Sequence, residues 1–331
     1  MPKPRKDQIN VSITRYYCIT MRCVRSGWLC GEENGKNYEH RRAWILAWLG
    51  MLENIFAIKI GPYAIMSNHY HVVLRIDPDE AADWSDWEVV NRWLQLYKGN
   101  PLAKRFLGGS KLSESEEMEL SKLVEQWRER LQSISQFMAK LNETIARMAN
   151  KEDKCTGRFW EGRFKSQALM EQDGRACMMA YVDLNPVRAG AAKDIASSNY
   201  TSGQQRLREL MGETVSVMMH DKEYPAPRLL KICDTDPESP LTMTTEQYLE
   251  LLDDTGRSQR HDKKGYIQFH HPKLLDMLNF TRDKWQELTE SVEGLFSHFV
   301  GSEESLRSAC SQIGQKKLHG VSMGRKYFSQ S

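Results

Sequence analysis

AIMSNHYHVVLRI, residues 64–76, holds two histidines one residue apart inside an apolar run. Side chains of a β-strand alternate between faces, so His69 and His71 project from one side while Tyr70, Val72 and Leu74 project from the other. Two imidazoles on one strand face can grip one ion. Upstream, Tyr17, Ile19, Met21 and Cys23 alternate with Cys18, Thr20 and Arg22, a period-two pattern that predicts a first strand. Trp44, Ile45, Trp48, Leu49 and Leu52 fall at helical spacing and predict a helix over 38–54. Residues 56–60 and 64–66 read as extended, interrupted by Gly61 and Pro62. The order is strand, helix, strand, strand.

Further along, DPDEAADWSDWEVVNRW opens on turn residues and acidic caps and becomes helical to about 96. Ser113 with Glu116 forms a capping box. The helical spacing behind it runs through Ile134, Leu141 and Met148, as one long helix or two consecutive ones. CTGRFWEGRFKSQALM is glycine-punctuated and aromatic, with a strand expected over 164–169. A helix follows over 172–184, its inward face formed by Cys177, Ala180, Tyr181 and Leu184. Pro186 disfavours helical geometry at Asn185, so the helix should end there. Tyr181 and Asn185, four apart, share a helix face. The pattern implies an α+β fold with a central antiparallel sheet and packed helices, roughly 190 residues at usual domain sizes. SSNYTSG and DTDPESP read as linker or loop, and 200–331 as a mainly helical C-terminal module, with helices over 245–253, 272–278, 283–299 and 303–312.

At 331 residues with 40% apolar content, the chain can bury a substantial core. A formal net charge of +2 creates no whole-chain basic field, so any nucleic-acid contact must come from local patches. The seven cysteines are scattered without a C-x-x-C pair, which argues against a disulfide framework or a zinc ribbon and fits a reducing cytoplasm. The basic start MPKPRKDQ lacks a signal-peptide core, and the apolar run 43–52 is too short to cross a bilayer. No membrane partner is expected.

SNHYHVVL, GRFWEGRFKS and YVDLNPVRAG together resemble the REP-associated tyrosine transposases, a branch of the single-tyrosine HUH transposases that includes the IS-two-hundred-like enzymes. The likeness covers about 16–192. It implies an RRM-like HUH domain over 1–195, with His69 and His71 as metal ligands, Asn185 as the third, polar ligand, and Tyr181 as nucleophile. It also implies Mg²⁺ or Mn²⁺ as cofactor and single-stranded or hairpin DNA, in palindromic repeats, as substrate, for a monomer or homodimer active in DNA transposition. The module over 200–331 has no counterpart in the short enzymes of the family.

These residue types suit that chemistry. A divalent ion on two imidazoles and one amide keeps positions open for a phosphate, and a phenol can exchange one phosphoester for another without a nucleotide energy source. The phenol, ordinarily titrating near 10, needs help at neutral pH. Asp183 lies two residues from Tyr181 and points elsewhere on the helix. GRFWEGRFK interleaves Arg158, Arg163 and Lys165 with Phe159, Trp160 and Phe164, which suits gripping phosphates while stacking bases. Arg188, just past the tyrosine helix, is a second candidate for phosphate contact, a surface role being equally ordinary. The basic loop 257–264 could also touch DNA, though a charged loop is more often just solvated.

Two motifs fail. GEENGK has one residue too few between its glycines for a P-loop, and Asn37 stands where Ser or Thr should bind magnesium. His270 and His271 are adjacent and would face opposite ways on a strand. The alternative function is a catalytically silent nucleic-acid-binding regulator on an RRM-like fold. A histidine phosphodiesterase wants paired H-x-[ST] motifs, and the sequence has none.

Overall fold

Alternation in Tyr16–Arg22 forms β1, whose Tyr17, Ile19 and Met21 are buried. The computed structural model describes residues 5, 8–24, 29–33, 35–258, 272–315 and 318–328; the loop 259–264 and the histidine pair 270–271 lie outside them. A short hairpin, β2 (Glu32–Glu33) and β3 (Lys36–Asn37), occupies the failed P-loop stretch. Then come α1 (His40–Glu53), β4 (Ile58–Ile65) and β5 (His69–Ile76). β4 runs through Gly61 and Pro62 instead of breaking there. A register shift between Ile60 and Tyr63 takes up the proline, which has no N–H for the ladder.

α2 (Pro78–Asp83) and α3 (Asp86–Leu96) are separated where Ser85 caps the second helix. After α4 (Pro101–Leu107), α5 (Glu114–Leu131) starts on the expected Ser113–Glu116 capping box. α6 (Ile134–Glu152) is a second helix, set off by its own cap at Ser133. β6 (Lys165–Leu169), α7 (Gln172–Asp183) and the single turn α8 (Asn185–Arg188) complete the first half. The interruption falls at Leu184, one residue earlier than Pro186 suggests. The proline then sits in the first turn of α8, where its missing N–H costs nothing.

The second half contains α9 (Ser202–Leu210), β7 (Ser216–Met219), β8 (Lys222–Pro225), α10 (Thr245–Ser258), α11 (Pro272–Met277), α12 (Arg282–Leu295), β9 (Phe299–Val300), α13 (Glu303–Gln312) and α14 (Val321–Phe328). The β7–β8 hairpin escapes sequence reading because its turn, His220 and Asp221, takes positive φ of 49° and 59° without a glycine or asparagine to signal it.

Five strands form one mixed sheet in the order β4-β5-β1-β6-β9, antiparallel except for β6 with β9. The second half closes both sheet edges. The Leu230 N–H donates to the Ile60 carbonyl at 2.7 Å on one side, and the Ala168 N–H donates to the His298 carbonyl at 2.7 Å on the other. The expected module over 200–331 is mainly helical, but it also supplies these edge pairings. Tyr70 faces α6, its hydroxyl donating to Asn142 Oδ1 at 2.6 Å, and α7 covers the opposite face.

Asp183, 2% exposed, joins the halves. Its carboxylate accepts from the Ser202 hydroxyl, from the Gly203 N–H at 2.7 Å and from the Tyr248 hydroxyl at 2.7 Å, tying α7 to α9 and α10. We expect Asp183→Ala to cost roughly 3 kcal/mol in denaturant unfolding, because three donors lose a charged acceptor inside the protein. A loss under about 1 kcal/mol would mean the halves are held without it.

Candidate active site

Register decides what surrounds the histidines. In the β1–β5 ladder Arg22 pairs with His69 and Thr20 with His71, and directly paired residues share a face. The two imidazole centroids are 4.9 Å apart and nearly perpendicular. His71, 1% exposed, contacts the Thr20 hydroxyl through Nδ1 at 3.0 Å. Thr20 spends its one proton on Glu293 Oε1 at 3.0 Å, so it must accept from His71 Nδ1–H, which leaves Nε2 with a bare lone pair. That Nε2 is buried without a partner among the described residues. His69 is set the same way, its Nδ1 2.6 Å from Asn68 Oδ1.

Burial pushes the His69 imidazole down to about 3, helped by His71 and Arg22, and pushes His71 down to about 3, helped by Arg188, Arg22 and Lys165. Both rings are therefore neutral at physiological pH, as metal ligands must be. An orphaned ring nitrogen costs about 1–3 kcal/mol unless something binds it. Among the described residues no set of three His, Cys, Asp or Glu side chains could hold an ion, so a third protein ligand would have to be a neutral group. Asn185, 6% exposed at the start of α8, carries a neutral amide oxygen of that kind, and two imidazoles with such an oxygen would suit Mn²⁺ or Mg²⁺.

From the next layer α7 brings Tyr181, its ring centroid 5.7 Å from that of His71. The Tyr181 hydroxyl donates to Glu293 Oε2 on α12 at 2.8 Å. Burial, with the Glu293 charge, pushes the phenol well above its ordinary value. Arg188 lies with its guanidinium carbon 3.9 Å from the Tyr181 ring centroid and donates to the Thr289 carbonyl at 3.0 Å. It is thus packed on the tyrosine.

A cleft of about 1010 Å³ opens beside Tyr181 and Glu293, with Arg5, Arg22, Arg163 and Lys165 among its walls. Arg22, Arg163 and Lys165 make no ion pair among the described residues, so their charge is available to an anion. Arg158 is exposed and turned to the Glu161 carbonyl at 3.4 Å. Trp160 is 8% exposed, its Nε1–H donates to the Asn142 carbonyl at 2.8 Å, and its ring meets Tyr70 edge-on. It packs largely into the core, and with Arg163 and Phe164 it lines a second, smaller cavity. Phe164 is stacked under Arg5 at 3.7 Å.

No family model matches this chain, and no curated protein matches it. Among solved structures, it is similar to a REP-associated tyrosine transposase bound to a REP hairpin. The identity is 10%, over 69% of this chain and 98% of that one, with a TM-score of 0.38. So distant a likeness carries no argument about activity, which must be read from the side chains. No helix among the described residues is long and apolar enough to cross a membrane.

Sequence reading missed Thr20, Arg22, Arg5 and Glu293. Thr20 and Arg22 share the polar face of β1 in the period-two pattern, but the pattern alone does not say which strand they will face. Arg5 sits in the basic start, where charge reads as solvated tail. Glu293 follows inward-facing Val292 on a helix full of acids and carries no signal of its own.

Proposed function

We propose that this chain is a metal-dependent single-strand DNA endonuclease and strand transferase of the HUH type, on an RRM-like sheet, acting on hairpin DNA through a covalent phosphotyrosine. The observation carrying the reading is that Tyr181, which lines a cleft with several cationic walls, packs against a histidine whose ring nitrogen is buried and unpartnered among the described residues. His69, His71 and Asn185 would hold Mg²⁺ or Mn²⁺, which when bound supplies charge withdrawal from phosphoryl oxygens. Tyr181 attacks the phosphorus; its oxygen–phosphorus bond forms as the bond to the departing strand end breaks, leaving a hydroxyl there. The reverse reaction rejoins DNA. Arg22, Arg163 and Lys165 hold the flanking phosphates.

The test is to incubate the protein with single-stranded hairpin DNA and Mn²⁺ and to look for a protein–DNA adduct that survives denaturation. An adduct that forms with Mn²⁺ and not with chelator is the expected result; its absence in both overturns the reading. That absence would favour the catalytically silent nucleic-acid-binding regulator.

The cleft makes a separate prediction. Arg163→Ala and Lys165→Ala should weaken hairpin binding regardless of sequence, and each should flatten the slope of log affinity against log salt by about 0.7. Unchanged slopes would place the strand elsewhere.

A further inference from the structure

Nothing so far says what takes the proton from Tyr181. We infer that Glu293 is the general base of the site, accepting the phenol's proton as the oxygen attacks phosphorus. The inference rests on Tyr181 being the nucleophile. Three observations carry it. Glu293 is the one side chain among the described residues that hydrogen-bonds the phenol, at 2.8 Å through Oε2. A base must lie within such reach of the proton it removes. Its other oxygen accepts from Thr20 at 3.0 Å, which leaves the carboxylate little freedom to swing away. And the two share the wall of the cleft in which a phosphodiester would lie. A phenol ordinarily titrates near 10, so attack at neutral pH calls for such a base.

The step balances. The proton moves from Tyr181 to Glu293 Oε2, the phenol oxygen bonds to phosphorus, and the departing strand oxygen takes a proton from solvent. In rejoining, the protonated Glu293 returns a proton to the departing phenol oxygen while the attacking strand hydroxyl gives its own proton to solvent.

The charged and titratable groups around Glu293 come from every neighbouring element. They are Arg188 on α8, Cys18 and Arg22 on β1, His69 and His71 on β5, Lys165 on β6, Glu290 on α12 itself and His298 just beyond it. The phenol itself donates to Glu293 Oε2. The Thr20 link gives the same carboxylate a second effect, since it fixes the tautomer of His71.

The experiment measures adduct formation on hairpin DNA with Mn²⁺ across pH. E293Q keeps the shape of the side chain and removes the base. Expected are hairpin binding and melting close to wild type, an adduct rate at neutral pH lower by about 10²–10⁴-fold, and a residual rate that climbs tenfold per pH unit as hydroxide replaces the carboxylate. A wild-type rate in E293Q overturns the inference, as does a loss with an unchanged pH profile. Should E293Q fold poorly, Glu293→Asp, which retains a carboxylate, must keep the wild-type pH profile. Thr20→Val separates the second effect. It should raise the Mn²⁺ concentration needed by about 10–100-fold without altering the profile; if it reproduces the profile of E293Q, Glu293 works through Thr20 and is no base. If the wild type itself forms no adduct, the nucleophile reading falls and takes this inference with it. If the wild type forms one and E293Q equals it, only the inference falls.

Discussion

Tyr181→Phe is expected to remove the denaturation-resistant adduct altogether and strand cleavage with it, while hairpin binding persists. The substitution deletes one oxygen, the atom that would become bonded to phosphorus, and leaves the ring that packs against His71 and Arg188. The fold should tolerate it. Glu293 keeps its hydrogen bond from Thr20, so the variant forfeits one bond to a charged acceptor, about 1.5–3 kcal/mol at most, against a phenol that was itself desolvated. The decisive measurement runs both proteins on the same hairpin with Mn²⁺ through a denaturing gel. An adduct of undiminished yield in the variant would mean that another side chain is the nucleophile. Tyr70 is no substitute: it points to the opposite sheet face and is hydrogen-bonded to Asn142.

His71→Ala should lose both the ion and the reaction. The buried Nε2 has no protein partner among the described residues, and its lone pair is set by the Thr20 contact, so this ring is the better oriented of the two imidazoles proposed to hold the ion. Charge withdrawal by a metal ion is worth several kcal/mol at a phosphoryl centre, and each 1.36 kcal/mol is tenfold in rate. A fall in adduct formation of at least about a hundredfold follows from that conversion. Calorimetric titration with Mn²⁺ should show the affinity lost, and hairpin binding by the cationic cleft largely spared. Wild-type Mn²⁺ affinity in the variant, or full wild-type activity in chelator, would refute the metal role. Because both rings are held neutral down to about 3, protons should not compete for the ion at physiological pH.

What reads directly from the sequence is local. Period-two alternation sets β1 and puts His69 and His71 on one face of β5. The capping signals at Ser113 and Glu116 start α5, and the helical spacing behind Gln172 sets α7 with Tyr181 on it. These follow from backbone geometry within a few residues, which the chain carries with it wherever it packs. The bulge at Gly61 and Pro62 and the turn at His220 and Asp221 elude such reading because neighbouring strands, not intrinsic preference, stabilise them.

The composition of the site is another matter. Strand register placed Thr20 and Arg22 beside the imidazoles. Docking of α12 brought Glu293 to a tyrosine 112 residues away, and packing against Tyr70 turned Trp160 inward although its sequence setting resembles a stacking surface. Each depends on which distant surfaces bury each other best. That is a sum over the whole core that no window of sequence contains, so the sequence by itself determined the groups able to do chemistry, and the tertiary structure alone decided which of them meet.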